Sequence, residues 1–311
     1  MPFRVTILGS NSAIPTTKRK PTAQLLNVAE RFLLIDCGEG TQMQLRKYKI
    51  KMQRISHVFI SHLHGDHYFG LIGLISTMHL LGRKKELHVY ADPQLKEIIM
   101  IQLEASKTEL AYPLFFHPLD YKNLKLLFED EKIQVKSFPL KHSIACCGFL
   151  VEERQLERRM ISEAIMEHKI PVNCIPGIKA GGDFTKSDGT IISHWELTKS
   201  AHRARSYAFC SDTAYSEDIV PIIQGVDLLY HEATFKNDLQ DRAAYTFHST
   251  TGQAAEIAKL AEVRRLVVGH YSQRYNDLSC LLNEVQEVFP NAELAEEGKI
   301  FEILRTYDTN S

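Results

Sequence analysis

The sequence predicts an α/β fold in which helices cover sheets built from short strands. Apolar, β-branched segments alternate with helix-like periodic segments in both halves of the chain, as expected for such layers. Several strand-like segments end in histidine or aspartate, and layered α/β proteins gather their active residues at strand ends. With 311 residues, 44% of them hydrophobic, the chain can bury one large core or two fused ones.

The first half of the chain is predicted to alternate between strands and helices. Gly82 suits the C-terminal cap of one helix, and Asp92 with Pro93 suits the start of the next. The predicted strands are residues 3–9, 23–29, 31–36, 55–62 and 87–91, with short strands between 113 and 151, and the predicted helices are residues 39–48, 66–81 and 93–106.

Strands and helices also alternate in the second half of the chain, although the two halves share no detectable sequence repeat. An amphipathic helix over residues 250–263 is the clearest element, because its apolar positions recur at helical spacing. The predicted strands are residues 206–212, 225–233 and 264–270, and a last helix at 278–289 precedes a terminal strand pair.

Residues 152–194 interrupt the pattern. A charged helix is predicted over 152–170, and a segment rich in Gly and Pro follows at 171–190. The segment carries six Lys or Arg residues against seven Asp or Glu residues, so it is not strongly basic. It is either a surface insertion with a flexible loop or an arm that grips a large ligand away from the active centre.

Composition bounds the function and the compartment. The net charge is −1 and the sequence pI about 6.9, which argues mildly against a general nucleic-acid binder, since such proteins are usually basic. Six cysteines without a CxxC pair indicate reduced thiols in a cytoplasmic protein. Residues 69–81 are too short to span a bilayer, and the N-terminal residues lack the pattern of a signal peptide.

A histidine-rich turn carries the strongest chemical signal. His62, His64, Asp66 and His67 follow a β-branched strand directly, and imidazoles and carboxylates are the usual ligands of catalytic zinc. His62 and His64 can reach one ion, whereas Asp66 and His67 can reach a second. The spacing therefore predicts two neighbouring metal sites.

Further ligands must come from distant parts of the chain. His142, Asp212 and His270 each stand where an apolar run ends, the place where a layered fold positions active residues. Any one of them alone is more simply an ordinary polar residue at a loop edge. As a set they supply the ligands that the turn lacks.

The turn HLHGDH with the distant His142, Asp212 and His270 resembles the metallo-β-lactamase superfamily as a whole. The motifs HEATF, HST and GHYSQRY are much more specific, and with them the chain resembles the ribonuclease Z branch of that superfamily over nearly its whole length. The matching segments are residues 34–45, 211–213, 231–235, 248–258 and 269–275.

The resemblance implies a four-layer αββα sandwich with two zinc ions per chain. His62, His64 and His142 would bind one ion, Asp66, His67 and His270 the other, and Asp212 would bridge them. Mn²⁺ or another divalent ion is also acceptable to such ligands. Asp66 would also orient or deprotonate the attacking water.

The leaving oxygen in this chemistry needs a proton or a positive neighbour. His248, oriented by Glu232 of the HEATF motif, is the candidate acid. Its alternative role is structural, at the start of the following helix, although Ser249 or Thr250 could cap that helix.

The resemblance further implies a homodimer that removes the 3′ trailer from precursor tRNA. The products would be a tRNA with a 3′-hydroxyl and a trailer with a 5′-phosphate. Residues 152–194 would be the tRNA-binding arm inserted into a single domain spanning 1–311. Four basic residues are candidates for phosphate contacts: Lys18, Arg19, Lys20 and Arg274.

Two other functions stay open at this point. The same metals could serve a phosphodiesterase that acts on small or cyclic phosphodiesters and needs no arm. The chain could also be a non-catalytic RNA-binding protein that has kept the fold. Such a protein typically loses metal ligands, and all seven are present here.

Overall fold

The computed structural model of the chain describes residues 1–154 and 157–305. They divide into two compact units. The larger unit comprises residues 1–152 and 206–303, and the smaller unit comprises the described residues between 153 and 205 together with residues 304 and 305.

The first sheet of the larger unit has seven strands within the described residues. Its order is β18-β1-β2-β3-β4-β5-β6, and the strands from β3 to β6 run parallel. Parallel strands end at the same edge of a sheet, so the loops that follow β3 and β4 begin at that edge. The strands are β1 (Phe3–Gly9), β2 (Ala23–Val28), β3 (Arg31–Ile35), β4 (Ile55–Phe59), β5 (Leu87–Ala91), β6 (Leu114–Pro118) and β18 (Ile300–Glu302).

The second sheet also has seven strands in the described part of the chain, in the order β17-β16-β15-β14-β9-β8-β7. Strands β14 to β17 run parallel. The predicted terminal strand pair is wrong, because β17 pairs with β16 whereas β18 pairs with β1 of the other sheet. The strands are β7 (Lys125–Glu129), β8 (Ile133–Leu140), β9 (Cys146–Glu153), β14 (Ser206–Cys210), β15 (Leu228–Glu232), β16 (Leu266–Gly269) and β17 (Ala292–Leu294).

Three hydrophobic layers hold the larger unit together. Side chains such as Phe59, Phe149 and Phe209 fill the space between the two sheets, which excludes water from their inner faces. Helices cover the outer face of each sheet. This arrangement confirms the predicted αββα sandwich. The helices are α1 (Thr41–Lys47), α2 (Gly65–Tyr68), α3 (Leu71–Leu80), α4 (Pro93–Ala105), α8 (Gln240–Tyr245), α9 (Thr251–Leu260) and α10 (Ser279–Val288).

Local chemistry sets the helix boundaries much as predicted. The Asp92 carboxylate accepts a hydrogen bond from the Gln94 amide at the start of α4, and Gly82 takes a positive φ of 76° just after α3. The predicted helix over 66–81 is divided into α2 and α3. Across the described residues, no helix has both the length and the apolar character needed to cross a bilayer.

The start of α9 decides one structural question about His248. Thr250 is the N-cap, and with Gln253 it forms a reciprocal capping box. Such a cap contributes about 1 kcal/mol to helix stability. The helix therefore does not need the His248 side chain as a cap.

The smaller unit has a core of its own. Five buried apolar side chains form it: Ala164, Ile170, Ile178, Ile192 and Leu197. Short elements surround this core, namely β10 (Arg159–Met160), α5 (Ser162–Glu167), α6 (Ile175–Lys179), β11 (Phe184–Thr185), β12 (Ile191–Ile192), α7 (His194–Leu197) and β13 (Thr198–Lys199). The segment 152–194, which the sequence suggested as an insertion, lies almost entirely within this unit.

The continuous charged helix predicted over 152–170 is wrong. Strand β9 continues to Glu153, and β10 pairs with β13 some forty residues further along the chain. Only Ser162–Glu167 is helical, while Gln155 and Leu156 lie outside the described residues. The strand pairing is a tertiary contact that overrides the local helix propensity.

A buried ion pair joins the two ends of the smaller unit's inserted segment. Arg205 Nε and Nη2 lie 3.0 and 2.7 Å from the two carboxylate oxygens of Glu153, and both side chains are buried. Arg305 Nη2 lies 3.1 Å from the same carboxylate. Because each charge is paired, the cost of burying it is offset.

Candidate metal centre

The candidate centre is built from loops that leave the C-terminal ends of strands. His62 to His67 follow β4, Asp212 follows β14 and His270 follows β16. Asp212 and His270 take positive φ angles of 60° and 59°, a conformation that non-glycine residues seldom adopt. Such angles are often found where a chain must turn a functional side chain toward a site.

The first cluster brings three imidazole nitrogens and a carboxylate together. His64 Nδ1 lies 3.1 Å from both His62 Nε2 and His142 Nε2. Asp212 Oδ2 lies 3.4 Å from His62 Nε2 and 3.6 Å from His142 Nε2. These four atoms are candidates to bind one divalent ion.

The second cluster shares Asp212 through its other oxygen. Asp212 Oδ1 lies 3.0 Å from His270 Nε2 and 3.3 Å from His67 Nε2. Asp66 Oδ2 lies 3.5 Å from each of the same two nitrogens. The structure thus gathers all seven residues that the sequence grouped, with Asp212 between the two clusters.

The opposite nitrogen of each buried imidazole is held by the protein. His67 Nδ1 lies 2.7 Å from the Asp36 carboxylate, and His142 Nδ1 lies 3.0 Å from the Phe247 carbonyl oxygen. The hydroxyls of Ser61 and Thr234 lie 3.0 Å from His62 Nδ1 and His270 Nδ1. These contacts orient the Nε2 atoms toward the clusters, as outer partners do in metal sites.

The donor set fits a pair of divalent cations. Within the described residues, Nε2 of His67 and of His270 are buried without a hydrogen-bond donor or acceptor of good geometry, which is costly unless another group binds them. Burial, followed by the neighbouring His67, lowers the pKa of His62 to about 3. The His62 imidazole is therefore neutral at pH 7 and offers a lone pair. Burial lowers the pKa of His270, but Asp212 raises it to about 10, so a cation that binds there displaces a proton.

Sequence reasoning missed Asp36, which organises this centre. Asp36 is fully buried, accepts hydrogen bonds from the Ser61 amide and hydroxyl, and contacts His67. It directly follows β3 and has a φ of 55°. The signal was available, because Asp36 is an acidic residue at a strand end, just as Asp212 is.

Asp36→Ala is expected to weaken metal binding roughly 10- to 100-fold, the usual effect of removing a partner that orients a ligand. The reason is that the His67 ring loses the carboxylate that fixes its orientation. Competition with a chromogenic zinc chelator measures the affinity. Asp130→Ala is a matched control, since Asp130 pairs with Arg31 away from the clusters. Equal affinities for the two variants would contradict this role for Asp36.

His248 lies beside the clusters and is held by Glu232. Glu232 is fully buried, and its Oε1 lies 2.8 Å from His248 Nδ1. The same carboxylate accepts hydrogen bonds from the Thr213 amide and the Thr234 hydroxyl. Although burial alone lowers the pKa of His248, Glu232 raises it above its ordinary value. The imidazole is thereby poised to hold a proton.

The clusters open into a cavity of about 580 Å³. His64, Asp66, Asp212, His248 and His270 reach it from the two halves of the larger unit. Further around the wall lie exposed side chains that can meet a substrate, namely Phe69, Arg242, Gln273 and Arg274.

Of the four predicted phosphate-binding residues, one lines the cavity and the other three are not among the residues that form its described wall. Arg274 lines the cavity, with its guanidinium 5.1 Å from the centre of the Phe235 ring. Lys18, Arg19 and Lys20 are not among the described residues that line it. Arg19 is used internally, because it donates hydrogen bonds to Asn11 Oδ1 and the Tyr275 carbonyl oxygen.

Comparisons with known proteins agree with this architecture. The chain is 47% identical over 307 residues to a ribonuclease Z of Bacteroides thetaiotaomicron, covering 99% of this chain and 97% of that protein. It is 46% identical to a ribonuclease Z of Porphyromonas gingivalis, covering 92% and 94%. The crystal structure of the human short-form tRNase Z matches with a TM-score of 0.70 at 30% identity, covering 97% and 99%.

Two further comparisons place the chain more broadly. The family model described as Anti-Pycsar protein Apyc1 matches residues 3–159, half of the chain, with the His62–His67 loop but without Asp212 and His270. The long-form RNase Z from yeast matches with a TM-score of 0.70 at 18% identity, covering 97% of this chain and 42% of that one, which shows the shared fold. With a relative that is 47% identical over 99% of this chain's length, the chain belongs to the ribonuclease Z family.

Proposed function

We propose that the protein is a zinc-dependent endoribonuclease that removes the 3′ trailer from tRNA precursors. The products are a tRNA with a 3′-hydroxyl and a trailer with a 5′-phosphate. The observation that carries this proposal is the position of Asp212 at an open cavity, with one carboxylate oxygen facing His62 and His142 and the other facing His67 and His270. Family membership supports the choice of tRNA as substrate.

The two clusters have the ligands for two divalent ions. His62, His64 and His142 would hold one, and Asp66, His67 and His270 the other, with one oxygen of Asp212 for each. When bound, such ions lower the pKa of water to about 7 and offset the negative charge on phosphate oxygens. Imidazole-rich sites of this kind suit zinc, although other divalent ions bind them too.

Asp66 is our candidate for orienting or deprotonating the attacking water. Its Oδ2 accepts a hydrogen bond from the Ala13 amide at 2.8 Å, and the carboxylate borders the cavity. Burial alone would raise its pKa, but His67 and His270 lower the pKa well below its ordinary value. Asp66 is therefore ionised at pH 7 and able to accept a hydrogen bond from water.

His248 is our candidate for protonating the leaving 3′-oxygen. Glu232 fixes its Nδ1 side, which leaves Nε2 as the nitrogen available to a substrate in the cavity. As the phosphorus–oxygen bond breaks, the electron pair stays on the 3′-oxygen, and the imidazolium proton converts it to a hydroxyl. Thr213 and Thr234 keep Glu232 in place by hydrogen bonds, so that the imidazole is oriented before the substrate arrives.

The decisive experiment is cleavage of a 3′-extended tRNA precursor with mapping of both new ends. We expect one cut at the tRNA 3′ end, a 3′-hydroxyl product, and loss of activity in the presence of a chelator. The runner-up is a phosphodiesterase for small or cyclic substrates. Rapid hydrolysis of a chromogenic or cyclic phosphodiester, with the precursor left intact, would favour the runner-up.

The smaller unit is proposed to be the arm that binds the tRNA body. Ser206 pairs directly with Glu152 across β14 and β9, so a two-residue Asn-Gly turn can replace residues 153–205. We expect this variant to hydrolyse bis(p-nitrophenyl) phosphate at the wild-type rate and to lose precursor cleavage, because only the large substrate needs the arm. The rates on the two substrates, measured side by side for the variant and the wild type, show whether the two activities change separately. Equal loss of both activities would contradict the arm.

We also propose a cytoplasmic homodimer with two zinc ions per chain. The described cysteines are all free, and four of them are buried, which agrees with a reducing compartment. The dimer and the zinc stoichiometry rest on the family resemblance. Sedimentation and metal analysis of the purified protein test them.

A further inference from the structure

The single tryptophan of the chain, Trp195, is exposed on the smaller unit. Its relative exposure is 65%, whereas tryptophan is usually among the more buried residues. Leaving so large an apolar ring in water costs stability that burial would otherwise supply. Such an exposed ring offers a large apolar and aromatic surface for contact with a partner.

The backbone around Trp195 is fixed. Leu197 is fully buried in the core of the smaller unit, so Trp195, two positions earlier on the short helix α7, lies on the opposite side. Ser193 caps the helix by accepting a hydrogen bond from the Trp195 amide. The His194 amide and ring are both held by Asp183 Oδ1, at 2.8 and 2.9 Å. Little conformational freedom remains to be lost when a ligand binds.

A guanidinium group lies against the indole ring. The central carbon of Arg158 is 3.9 Å from the ring centroid, a cation–π distance. Arg158 Nε also donates a hydrogen bond to Thr198 Oγ1 at 2.6 Å. The cation thus covers one face of the indole ring, while 65% of Trp195 stays exposed to solvent.

Positive charge is also present elsewhere in this unit. Arg159 lies directly opposite Lys199 in the antiparallel pairing of β10 and β13, and its Nε donates a hydrogen bond to the Ser200 carbonyl oxygen at 3.2 Å. Residues 153–205 contain nine Lys or Arg residues against seven Asp or Glu residues, so the unit is weakly basic in an otherwise slightly acidic chain.

We propose that Trp195 and Arg158 form a platform on which an exposed base of the tRNA precursor stacks, with the positive charge of Arg158 close to the adjoining phosphates. The proposal rests on the proposed function and specifies how the arm binds its substrate. Every base has a π face, so stacking suits an enzyme that must accept many tRNA sequences. The positive side chains favour RNA over an apolar protein surface as the partner.

Intrinsic fluorescence tests the proposal directly, because Trp195 is the only tryptophan. Mature tRNA, which has no trailer to cleave, is titrated into the wild-type enzyme. We expect a saturable decrease in emission and protection of Trp195 from acrylamide quenching. An unchanged spectrum at a tRNA concentration that saturates precursor cleavage would overturn the proposal. Protection from acrylamide that exists without RNA and disappears on dilution would also overturn the proposal. In that case a second copy of the chain would cover the ring.

Substitutions provide the second readout. Trp195→Ala is expected to raise KM for the precursor roughly tenfold with little change in kcat, the size expected for one lost stacking contact. Trp195→Phe should retain part of the affinity, since it keeps a ring. Ile191→Ala is the matched control, because Ile191 is 68% exposed on the same unit but has no π face. A tenfold rise for Ile191→Ala as well, or none for Trp195→Ala, would overturn the proposal.

Hydrolysis of bis(p-nitrophenyl) phosphate separates this proposal from the proposed function. All three variants should hydrolyse it at the wild-type rate, which also shows that they fold. If the wild type hydrolyses the small substrate but leaves the precursor intact, the proposed function fails. If the wild type cleaves the precursor and Trp195→Ala does so with the same KM, only the stacking platform fails.

Discussion

Asp212→Ala is expected to lose metal from both clusters and to abolish hydrolysis of every phosphodiester. Each carboxylate oxygen of Asp212 faces a different cluster, at 3.0 Å from His270 Nε2 and 3.4 Å from His62 Nε2. One substitution therefore removes a ligand from two sites. The loss of activity should exceed the roughly 10- to 100-fold that follows removal of an outer partner such as Asp36. Metal analysis by mass spectrometry and initial rates measure the two effects.

Asp218→Ala is the control for Asp212→Ala. Asp218 is an exposed carboxylate that pairs with Lys141, so the variant should keep both its metals and its activity. If Asp212→Ala retained two metal ions per chain with wild-type rates, the shared-carboxylate arrangement would be wrong. Loss of one ion alone would show that Asp212 serves a single cluster.

His248→Ala is expected to lower kcat for precursor tRNA by about 10²–10⁴-fold, the usual contribution of a positioned acid. Metal content should stay unchanged, because the His248 ring is held by Glu232 and lies beside the clusters without completing either proposed ligand set. Single-turnover cleavage gives the rate, and metal analysis gives the content.

A substrate with a stable leaving group tests the assigned role of His248. Nitrophenolate leaves without needing a proton, so His248→Ala should hydrolyse bis(p-nitrophenyl) phosphate much more nearly at the wild-type rate than precursor tRNA. An equal loss on both substrates would assign His248 to positioning of the phosphate or the metals. Wild-type turnover of the precursor would remove it from the mechanism.

The fold was predictable wherever local patterns agree with the tertiary structure. The β-branched runs became strands and the capped periodic segments became helices, because their apolar faces meet across the sheets. The charged segment after Glu153 shows where this agreement fails. Its backbone pairs with Thr198 and Lys199, and no local pattern could reveal that partner.

The metal ligands of the candidate site were predictable from the sequence. The groups that hydrogen-bond to those ligands were less predictable. His142, Asp212 and His270 stand at strand ends, and the parallel strands β14 to β16 bring the ends that carry Asp212 and His270 to one edge of the sheet. By contrast, the Phe247 carbonyl oxygen that holds His142 is a backbone group, whose role does not depend on side-chain identity. Residues of this kind become visible only in the folded structure.

The smaller unit illustrates a different limit. Its net charge depends on where its boundary is drawn, since Lys199, Arg203 and Arg205 lie beyond residue 194. The buried pair of Glu153 and Arg205 marks that boundary. Composition counted over the predicted segment therefore underestimated its positive charge, and the exposed Trp195 also lay just outside it.

The central claim is that seven side chains hold two cations that share Asp212. The most direct measurement is anomalous scattering at the zinc edge from a crystal of the active enzyme. We predict two peaks, one among His62 Nε2, His64 Nδ1 and His142 Nε2, and one among Asp66, His67 and His270, with an Asp212 oxygen next to each. A single peak, or two peaks away from Asp212, would contradict the account.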